Sequence, residues 1–353
     1  MIEVSLRLMK VFSASIHSLF WVAGCWVLAF SACKNDPAPR QTAAQDQHPE
    51  LSRLTAMIEK NPANDSLYYM RGYAYWKLDA FDEAIMDANH AIGIDSMVPE
   101  YYHLLADAYL DYSRPNDSRR ALDVLEKACT LFPDDALTWL KTSEFLLIVR
   151  QHGEALKKLD HILVRDPQNA EAYFMSGRIA LDMNDTTRAV KSFQKSVQLD
   201  ADNKDAWTFL GRIYTNKGNP LAVQFFDNAL RIDSTDLEVR EYKAAWFKRS
   251  GDTKRAFEEY RRIVNTDINY ANAWFDMGVM YLDADSLQRA WEHFDRSVKS
   301  DPLFVLGYYY RGVASEAGGN VQAAIADYQQ AYKMSPNLPD PKAALERLNA
   351  LNK

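Results

Sequence analysis

Between residues 65 and 338 the chain consists of short amphipathic stretches whose apolar residues recur at the spacing of a helix. The stretches come in pairs, and the pairs repeat with a period of about 34 residues. The eighth residue of every repeat is small, at Gly72, Ala106, Ser143, Gly177, Gly211, Ala244, Gly278 and Gly312. One position in the second stretch is always alanine, at Ala84, Ala121, Ala155, Ala189, Ala222, Ala256, Ala290 and Ala324. Because small side chains let two helices approach closely, the pattern predicts an all-α stack of eight helical hairpins.

One repeat carries the clearest sequence motif. Residues 207–214 read WTFLGRIY, which fits the spacing W-x-x-L-G-x-x-Y, and Ala222 and Phe226 follow in the next stretch. This pattern resembles the tetratricopeptide repeat, a helix-turn-helix unit of 34 residues. The resemblance implies a right-handed α-solenoid of eight units over residues 65–338, with the first helix of each unit on the concave face. We expect the bulky residue at the position of Phe226 to fill the gap between one unit and the next.

Two further segments flank the repeats. Residues 51–64 look like the second helix of a repeat that lacks its first helix, and we expect this half repeat to cover the start of the array. Residues 339–353 place Ala344, Leu345 and Leu348 on one helical face. In arrays of this kind such a helix covers the apolar flank of the last unit, so we interpret it as a capping helix.

The N-terminal residues have a different character. Residues 1–10 are cationic, residues 11–33 are mostly apolar, and a polar sequence without periodicity follows. This is the layout of a secretory signal, and it predicts a signal peptide over residues 1–32 and a flexible tether over residues 33–50. An uncleaved membrane anchor remains an alternative, because 23 mostly apolar residues can span a bilayer.

The end of the apolar run resembles the lipobox of bacterial lipoproteins. It reads Phe30-Ser31-Ala32-Cys33, with a small residue before the cysteine. The resemblance implies acylation of Cys33 and an outer-membrane lipoprotein of the bacterial cell envelope, either periplasmic or surface-facing. Cys25 is a competing acylation position, but cleavage there would leave apolar residues directly on the mature chain. Phe30 departs from the aliphatic residue that the lipobox usually has at that place.

Composition narrows the function further. The 353 residues include 41 Lys and Arg against 48 Asp and Glu, so the net charge of −7 gives no basic footprint for nucleic acid. Three cysteines exclude a disulfide scaffold, and we expect Cys129 to lie in the core. No nucleotide-binding, nucleophile or metal-ligand motif is present in the sequence. We therefore expect a protein that is not an enzyme and needs no metal or cofactor.

The resemblance also places certain residues in the groove. Side chains of the first helices that point inward form the candidate partner-binding surface, which is Tyr69, Tyr73, Trp76, His103, Leu140, Phe174, Arg178, Arg212, Phe275 and Tyr309. Apolar residues at such positions favour a buried partner segment. The alternative is that they pack against neighbouring first helices.

Arg178 and Arg212 occupy the same position in adjacent units, so their side chains should be roughly 9–10 Å apart. Two guanidinium groups at that spacing could bind a carboxylate or an acidic peptide. Pairing with Asp182 or Asp205 of the same wall is the simpler expectation. The lysine and asparagine that the family's carboxylate clamp requires are not matched.

Two functions remain at the level of sequence. The first is a membrane-anchored scaffold or adaptor for protein or peptide partners, in envelope assembly or secretion. The second is a module that captures glycan or peptidoglycan, with the aromatic side chains as stacking platforms.

Five Asp-Ser or Asp-Thr pairs, which begin at Asp65, Asp95, Asp185, Asp233 and Asp285, resemble an O-glycosylation signal. We favour helix N-capping as the explanation of these residues.

Overall fold

A computed structural model describes residues 48–351 of the chain. By backbone contacts the chain divides into residues 1–52 and residues 53–353. Cys25, Cys33, the signal peptide and nearly all of the tether lie outside the described residues, so the lipidation and membrane assignments stay predictions. Within residues 48–351, no helix is long and apolar enough to cross a bilayer.

The described residues form eighteen helices and no strand, which confirms the all-α prediction. The helices are α1 (Pro49–Lys60), α2 (Asp65–Lys77), α3 (Phe81–Ile94), α4 (Pro99–Tyr112), α5 (Asp117–Leu131), α6 (Ala136–Ile148), α7 (His152–Arg165), α8 (Ala170–Asp182), α9 (Thr186–Leu199), α10 (Lys204–Asn216), α11 (Leu221–Ile232), α12 (Leu237–Arg249), α13 (Thr253–Thr266), α14 (Ala271–Asp283), α15 (Leu287–Ser300), α16 (Val305–Ala317), α17 (Val321–Met334) and α18 (Pro339–Leu351).

From α2 to α17 the helices pack in order as antiparallel pairs, so these sixteen helices form eight hairpins of an α-solenoid. The even-numbered helices are the first helices of the hairpins, and the odd-numbered ones are the second helices. The first helices of several successive hairpins are in direct contact. Among the described residues, the second helices of successive hairpins make fewer contacts with each other. Since the inner side of a curved stack has the shorter path, the first helices line the inner face. Treating each hairpin as one repeat remains our prediction.

Close packing within the fourth and seventh hairpins depends on the glycine at the eighth position, which has no side chain. A Cβ atom added to Gly177 would lie 2.6 Å from the ring of Phe193, and one added to Gly278 would lie 2.6 Å from the ring of Phe294. These rings are fully buried. We expected this bulky residue to fill the gap between one unit and the next. In the structure, its ring fills the space beside the glycine of its own hairpin. The small eighth residue is required by this contact.

An aromatic residue at the start of most first helices closes the preceding turn. The indole Nε1 of Trp207 donates a hydrogen bond to the carbonyl oxygen of Ala201, six residues earlier. Trp139 does the same to Pro133, and Trp274 to Ile268. The hydroxyl groups of Tyr68, Tyr102 and Tyr173 make the equivalent bond. This hydrogen bond ties each of these six turns to the helix that follows it.

The N-capping prediction is correct for one of the five aspartates. Asp185 precedes α9 and accepts a hydrogen bond from the backbone N–H of Arg188. Asp95 and Asp233 instead lie directly after helices and accept from the N–H two residues further on. Asp65 is already inside α2, and Asp285 stands one residue before the N-cap of α15. The sequence pair alone does not distinguish the end of one helix from the start of the next.

Helices occupy both flanking segments. In α1, Leu54 and Ile58 pack with Leu67 and Tyr68 of the first hairpin. At the other end, Ala344 and Leu348 of α18 pack with Ala324 and Tyr328 of the last hairpin. Residues 51–64 and 339–353 thus contain helices whose apolar faces are buried on the array, as a half repeat and a capping helix require, and the domain boundaries themselves stay predictions.

Candidate functional site

The candidate surface is the inner face of the solenoid, to which the first helices contribute the side chains predicted above. Tyr69, Tyr73 and Trp76 follow one another along α2, with ring centroids 6.4 and 5.6 Å apart. Their exposures differ, because 37% of Tyr73 but only 5% of Trp76 is accessible to water. Tyr73 is therefore the most exposed ring of this group, Tyr69 is partly exposed, and Trp76 is covered.

Two of the predicted groove residues lie inside the wall. The Trp76 indole donates to the Asp111 carboxylate on the next first helix at 2.8 Å. Phe174 is buried, with its ring centroid 5.8 Å from Phe193 and 6.0 Å from Phe209. Packing between neighbouring helices, the alternative left open by the sequence, thus accounts for these two side chains.

His103 is also buried between hairpins. Its Nε2 atom lies 2.8 Å from the Oγ1 atom of Thr138 and 3.9 Å from the Asp135 carboxylate. Burial, followed by the nearby Lys141 ammonium, lowers the pKa of His103 to about 4. The imidazole is neutral at pH 7 and forms part of the interface between the second and third hairpins.

The remaining apolar candidates are partly exposed. Leu140 packs with the cluster around Leu146 and Ile179, yet it keeps part of its surface accessible. Phe275 and Tyr309 are also half-buried, each in contact with the ring of Tyr310. Leu137 and Leu306 occupy inward positions in the first turns of α6 and α16, and they are 38% and 40% exposed. The inner face therefore presents apolar surface that is not fully covered by the chain itself.

Arg178 does not form the ion pair expected from the sequence. Its guanidinium lies 2.7 Å from the Glu144 carboxylate on the preceding first helix. Asp182 instead contacts the Nε2 atom of His152 at 2.5 Å. The expected pairing of Arg178 with Asp182 or Asp205 is wrong, because the arginine reaches back to the hairpin before it.

Arg212 has a different environment from Arg178. Its side chain is exposed, and its guanidinium carbon lies 5.0 Å from the ring centroid of Tyr242 and 5.7 Å from that of Phe209. Within the described part of the chain, no carboxylate lies within 4.0 Å of it. The two arginines are therefore not an equivalent pair of anion ligands.

Polar contacts join first helices of successive hairpins. Asp107 accepts from Lys141 at 2.7 Å, and Asp276 accepts from Lys248 at 2.7 Å. The Trp76–Asp111 and Arg178–Glu144 contacts belong to the same series. Sequence reasoning missed these contacts. The sequence contained a signal for the ion pairs among them, namely oppositely charged residues about one repeat apart, both in first helices.

Acidic residues occupy the first turns of the middle first helices. Burial raises the pKa of the Glu171 carboxyl, and the neighbouring Glu144 raises it further. Burial likewise raises the pKa of Asp205, with Asp236 and Glu238 adding to the effect. Glu171, Asp205 and Glu238 form what we call the acidic rim of the groove.

The described residues provide no metal centre, since no group of three His, Cys, Asp or Glu side chains is placed to hold an ion. Cys129 is buried with its Sγ atom 3.2 Å from the Thr142 hydroxyl, and burial raises the pKa of its thiol. The cysteine is thus a core residue, as predicted.

Comparison with known proteins supports the motif. Family models described as tetratricopeptide repeat match residues 65–96, 170–203 and 275–339. The chain is 21% identical over 301 residues to the DnaJ homolog subfamily C member 7 homolog of Schizosaccharomyces pombe, which covers 80% of this chain and 59% of that protein. It is 25% identical over 203 residues to the human mitochondrial import receptor subunit TOM70, covering 55% of this chain and 33% of that protein. The chain thus spans less than two thirds of the length of either curated relative.

Among solved structures, the C-terminal part of a TPR repeat-containing protein from Cytophaga hutchinsonii superposes with a TM-score of 0.56. The match covers 70% of this chain and 99% of that one at 14% sequence identity. At this identity the likeness establishes the fold, a helical solenoid.

Proposed function

This chain is a tetratricopeptide-repeat protein, and on that premise we propose that it is a non-catalytic scaffold for a protein or peptide partner. The partner lies along the inner face of the first helices. The observation that carries the proposal is the partial exposure of Tyr73, Leu137 and Leu306 on this face, between 37% and 40%. Apolar side chains that stay accessible in a groove gain free energy when a partner segment covers them.

The groove is also held in shape before a partner arrives. Ion pairs such as Lys141–Asp107 and Arg178–Glu144 connect successive first helices and limit their relative movement. A preformed surface loses less conformational entropy on binding than a flexible one. The similar protein TOM70 is by name a subunit of an import receptor, which supports a role in recognising other proteins.

The scaffold acts at a membrane in this proposal. Acylation of Cys33 confines it to the bacterial cell envelope as an outer-membrane lipoprotein, periplasmic or surface-facing. The support is the sequence alone, with an apolar run that ends at Ala32-Cys33 and the polar residues 34–50 after it. A function in envelope assembly or secretion fits this location.

Capture of a glycan is the second candidate. It depends on exposed aromatic platforms, and the exposure of Tyr73 favours it. Trp76 and Phe174 are buried and cannot serve in the same way without rearrangement. A protein partner therefore accounts better for the apolar groove.

A pull-down from envelope extract tests the scaffold. Leu137→Asp places a charge on the exposed groove face, and Val164→Asp is the matched control, because Val164 is 80% exposed on the second helix α7. We expect the groove variant to lose a specific partner that wild type and the control retain. Equal recovery with both variants, or a change in intrinsic Trp fluorescence with soluble peptidoglycan fragments and no recovered protein, contradicts the scaffold.

A further inference from the structure

The exposed side of the second helices in the middle of the array is rich in basic residues. In α9, four exposed residues recur at intervals of three and four and so lie along one face of the helix, namely Arg188, Lys191, Lys195 and Gln198. The helix contains no acidic residue. Equivalent positions recur 33 or 34 residues apart in α7, α11, α13 and α15.

These twenty residues, four from each of five second helices, form what we call the outer band. Besides the four in α9, the band contains Glu154, Lys157, His161 and Val164 in α7, Leu221, Gln224, Asn228 and Arg231 in α11, Arg255, Glu258, Arg262 and Asn265 in α13, and Arg289, Glu292, Arg296 and Lys299 in α15. All are exposed except His161 and Asn228, which are half-buried. The outer band thus lies on the side of the hairpins opposite to the inner face.

The outer band differs in charge from the rest of the molecule. Ten of its twenty residues are Lys or Arg and three are Glu, which gives the band a net charge of +7. The whole chain carries a net charge of −7, so the residues outside the band carry −14. An anionic surface therefore attracts the band and repels the remainder of the chain.

Half of the cations in the outer band have no carboxylate within 4.0 Å in the described part of the chain. They are Arg188, Lys191, Lys195, Arg289 and Arg296. The other five are in ion pairs, such as that of Lys157 with Glu154 at 2.8 Å and that of Lys299 with Asp295 at 2.6 Å. Unpaired cations on one face repel each other, and an approaching anionic surface compensates them.

The composition of the outer band suits a bilayer surface better than a protein. Only two of its residues, Val164 and Leu221, have large apolar side chains. A stable protein interface normally buries apolar and aromatic side chains at its centre, and the band offers no such centre. Anionic lipid headgroups instead present negative charge over a plane, and each nearby Lys or Arg adds to the attraction.

From this distribution of charge we infer that the outer band contacts the anionic phospholipid headgroups of the membrane that carries the chain. The inference rests on the proposed membrane anchor and adds the orientation of the molecule on the membrane. Because the acyl chain at Cys33 already holds the chain near the bilayer, a weak contact is sufficient to orient it. The second helices then face the lipid, and the inner face of the first helices stays open to a partner.

The test uses the full-length chain reconstituted in phosphatidylcholine vesicles, with and without phosphatidylglycerol. A bimane label is attached to Gln198→Cys in the outer band or to Ala245→Cys, an exposed residue of the first helix α12 at the inward position that Arg212 has in α10. A tracer lipid with a nitroxide on its headgroup quenches bimane on contact. Wild type carried through the same labelling gives the background from native cysteines, of which Cys129 is buried.

We expect quenching of the Gln198→Cys label in vesicles that contain phosphatidylglycerol, and its loss without this lipid or at high salt. The Ala245→Cys label should not be quenched in either kind of vesicle. Lys191→Gln combined with Lys195→Gln should reduce the quenching, because each lost charge weakens the contact about fivefold.

The matched control combines Lys60→Gln with Lys217→Gln. These lysines are exposed but lie outside the outer band, so the net charge changes equally and the quenching should persist. Circular dichroism spectra that match wild type show that the variants fold. An equal loss of quenching with both pairs of substitutions overturns the inference, because net charge alone then accounts for the attraction.

The remaining outcomes separate this inference from the proposed anchor. Equal quenching of the two labels, or quenching that does not depend on phosphatidylglycerol, overturns the inference while the anchor stands. Dextran sulfate that raises the anisotropy of the Gln198→Cys label in detergent, with no quenching in vesicles, identifies a soluble polyanion as the ligand and also overturns the membrane contact. Vesicles that retain no chain contradict both the anchor and the contact.

Discussion

The ring of Phe226 lies so close to the Cα atom of Gly211 that a Cβ atom added to the glycine would be 2.5 Å from the Cε1 atom of the ring. Both residues are in the fifth hairpin, one on each helix. The ring is fully buried and also reaches Tyr242 of the next hairpin, with centroids 6.2 Å apart. One contact thus sets the distance between two helices and supports the next hairpin.

Gly211→Ala should destabilise the chain, because the new methyl group overlaps a ring that is buried on all sides. We expect a loss of about 1–3 kcal/mol in the free energy of unfolding, measured by urea titration. Gly93→Ala is the control, since Gly93 lies in α3 with no atom within 4 Å of an added Cβ. Alanine is the better helix former, so the control should be neutral or more stable. Equal effects of the two substitutions would contradict the packing argument.

Acidification should destabilise the fold through His103. The pKa of His103 is lowered to about 4 in the folded chain, mainly by burial, against about 6.5 in an unfolded one. The unfolded chain therefore binds the proton more readily, and stability falls as the pH drops from about 6.5 to about 4, by up to about 3 kcal/mol. His103→Gln removes this titration. Unfolding curves of wild type and variant at several pH values should diverge in that interval, and parallel curves would refute the role of the imidazole.

Glu259 should be a sensitive position in the sixth hairpin. Glu259 is buried, with 5% of the residue exposed. Its carboxylate accepts hydrogen bonds from Arg240 and Lys243, each at 2.9 Å. Glu259→Gln leaves Arg240 without a carboxylate partner and Lys243 with Asp227 alone, and it should cost about 3 kcal/mol in the free energy of unfolding. The adjacent Glu258 is exposed, so Glu258→Gln serves as control and should change little. A similar melting temperature for both variants would show that the cluster is not stabilising.

The contact between Arg178 and Glu144 should contribute little to stability. Both side chains are about one quarter exposed, and the pair is 2.7 Å apart. A double-mutant cycle with Arg178→Gln and Glu144→Gln should give a coupling free energy of about 0.5–1 kcal/mol, which decreases when salt is added. A coupling near zero at low salt would mean that the pair is not formed in solution.

Cys33→Ala tests the proposed anchor. Without the thiol no acyl chain can be attached, so we expect the variant to leave the membrane fraction or to keep its uncleaved signal, with a corresponding change in mass. Cys25→Ala should have no such effect if Cys33 is the acylated residue. A Cys33 variant that stays in the membrane fraction at unchanged mass would rule out lipidation at this position.

The sequence was sufficient for the helices, the period and the fold. The reason is that the decisive residues are local. Gly211 and Ala222, which mark the eighth position and the alanine position of one repeat, are close in sequence, on the two helices that one turn connects. The same holds for Cys129, whose place on the apolar side of α5 follows from helical spacing. The N-capping rule failed for Asp95 and Asp233 because a turn between two helices offers such a residue to either helix end.

The roles of the groove residues were decided by the tertiary structure. Trp76 and Phe174 occupy inward positions by sequence, yet both are buried, Trp76 with its indole bound to Asp111 and Phe174 between Phe193 and Phe209. Arg178 and Arg212 hold equivalent positions, yet Glu144 is within reach of the first and no described carboxylate is within reach of the second. The repeat period determines which position a side chain occupies. Which partner it finds depends on how far one hairpin is rotated against the next, and that rotation results from packing between residues about one repeat apart.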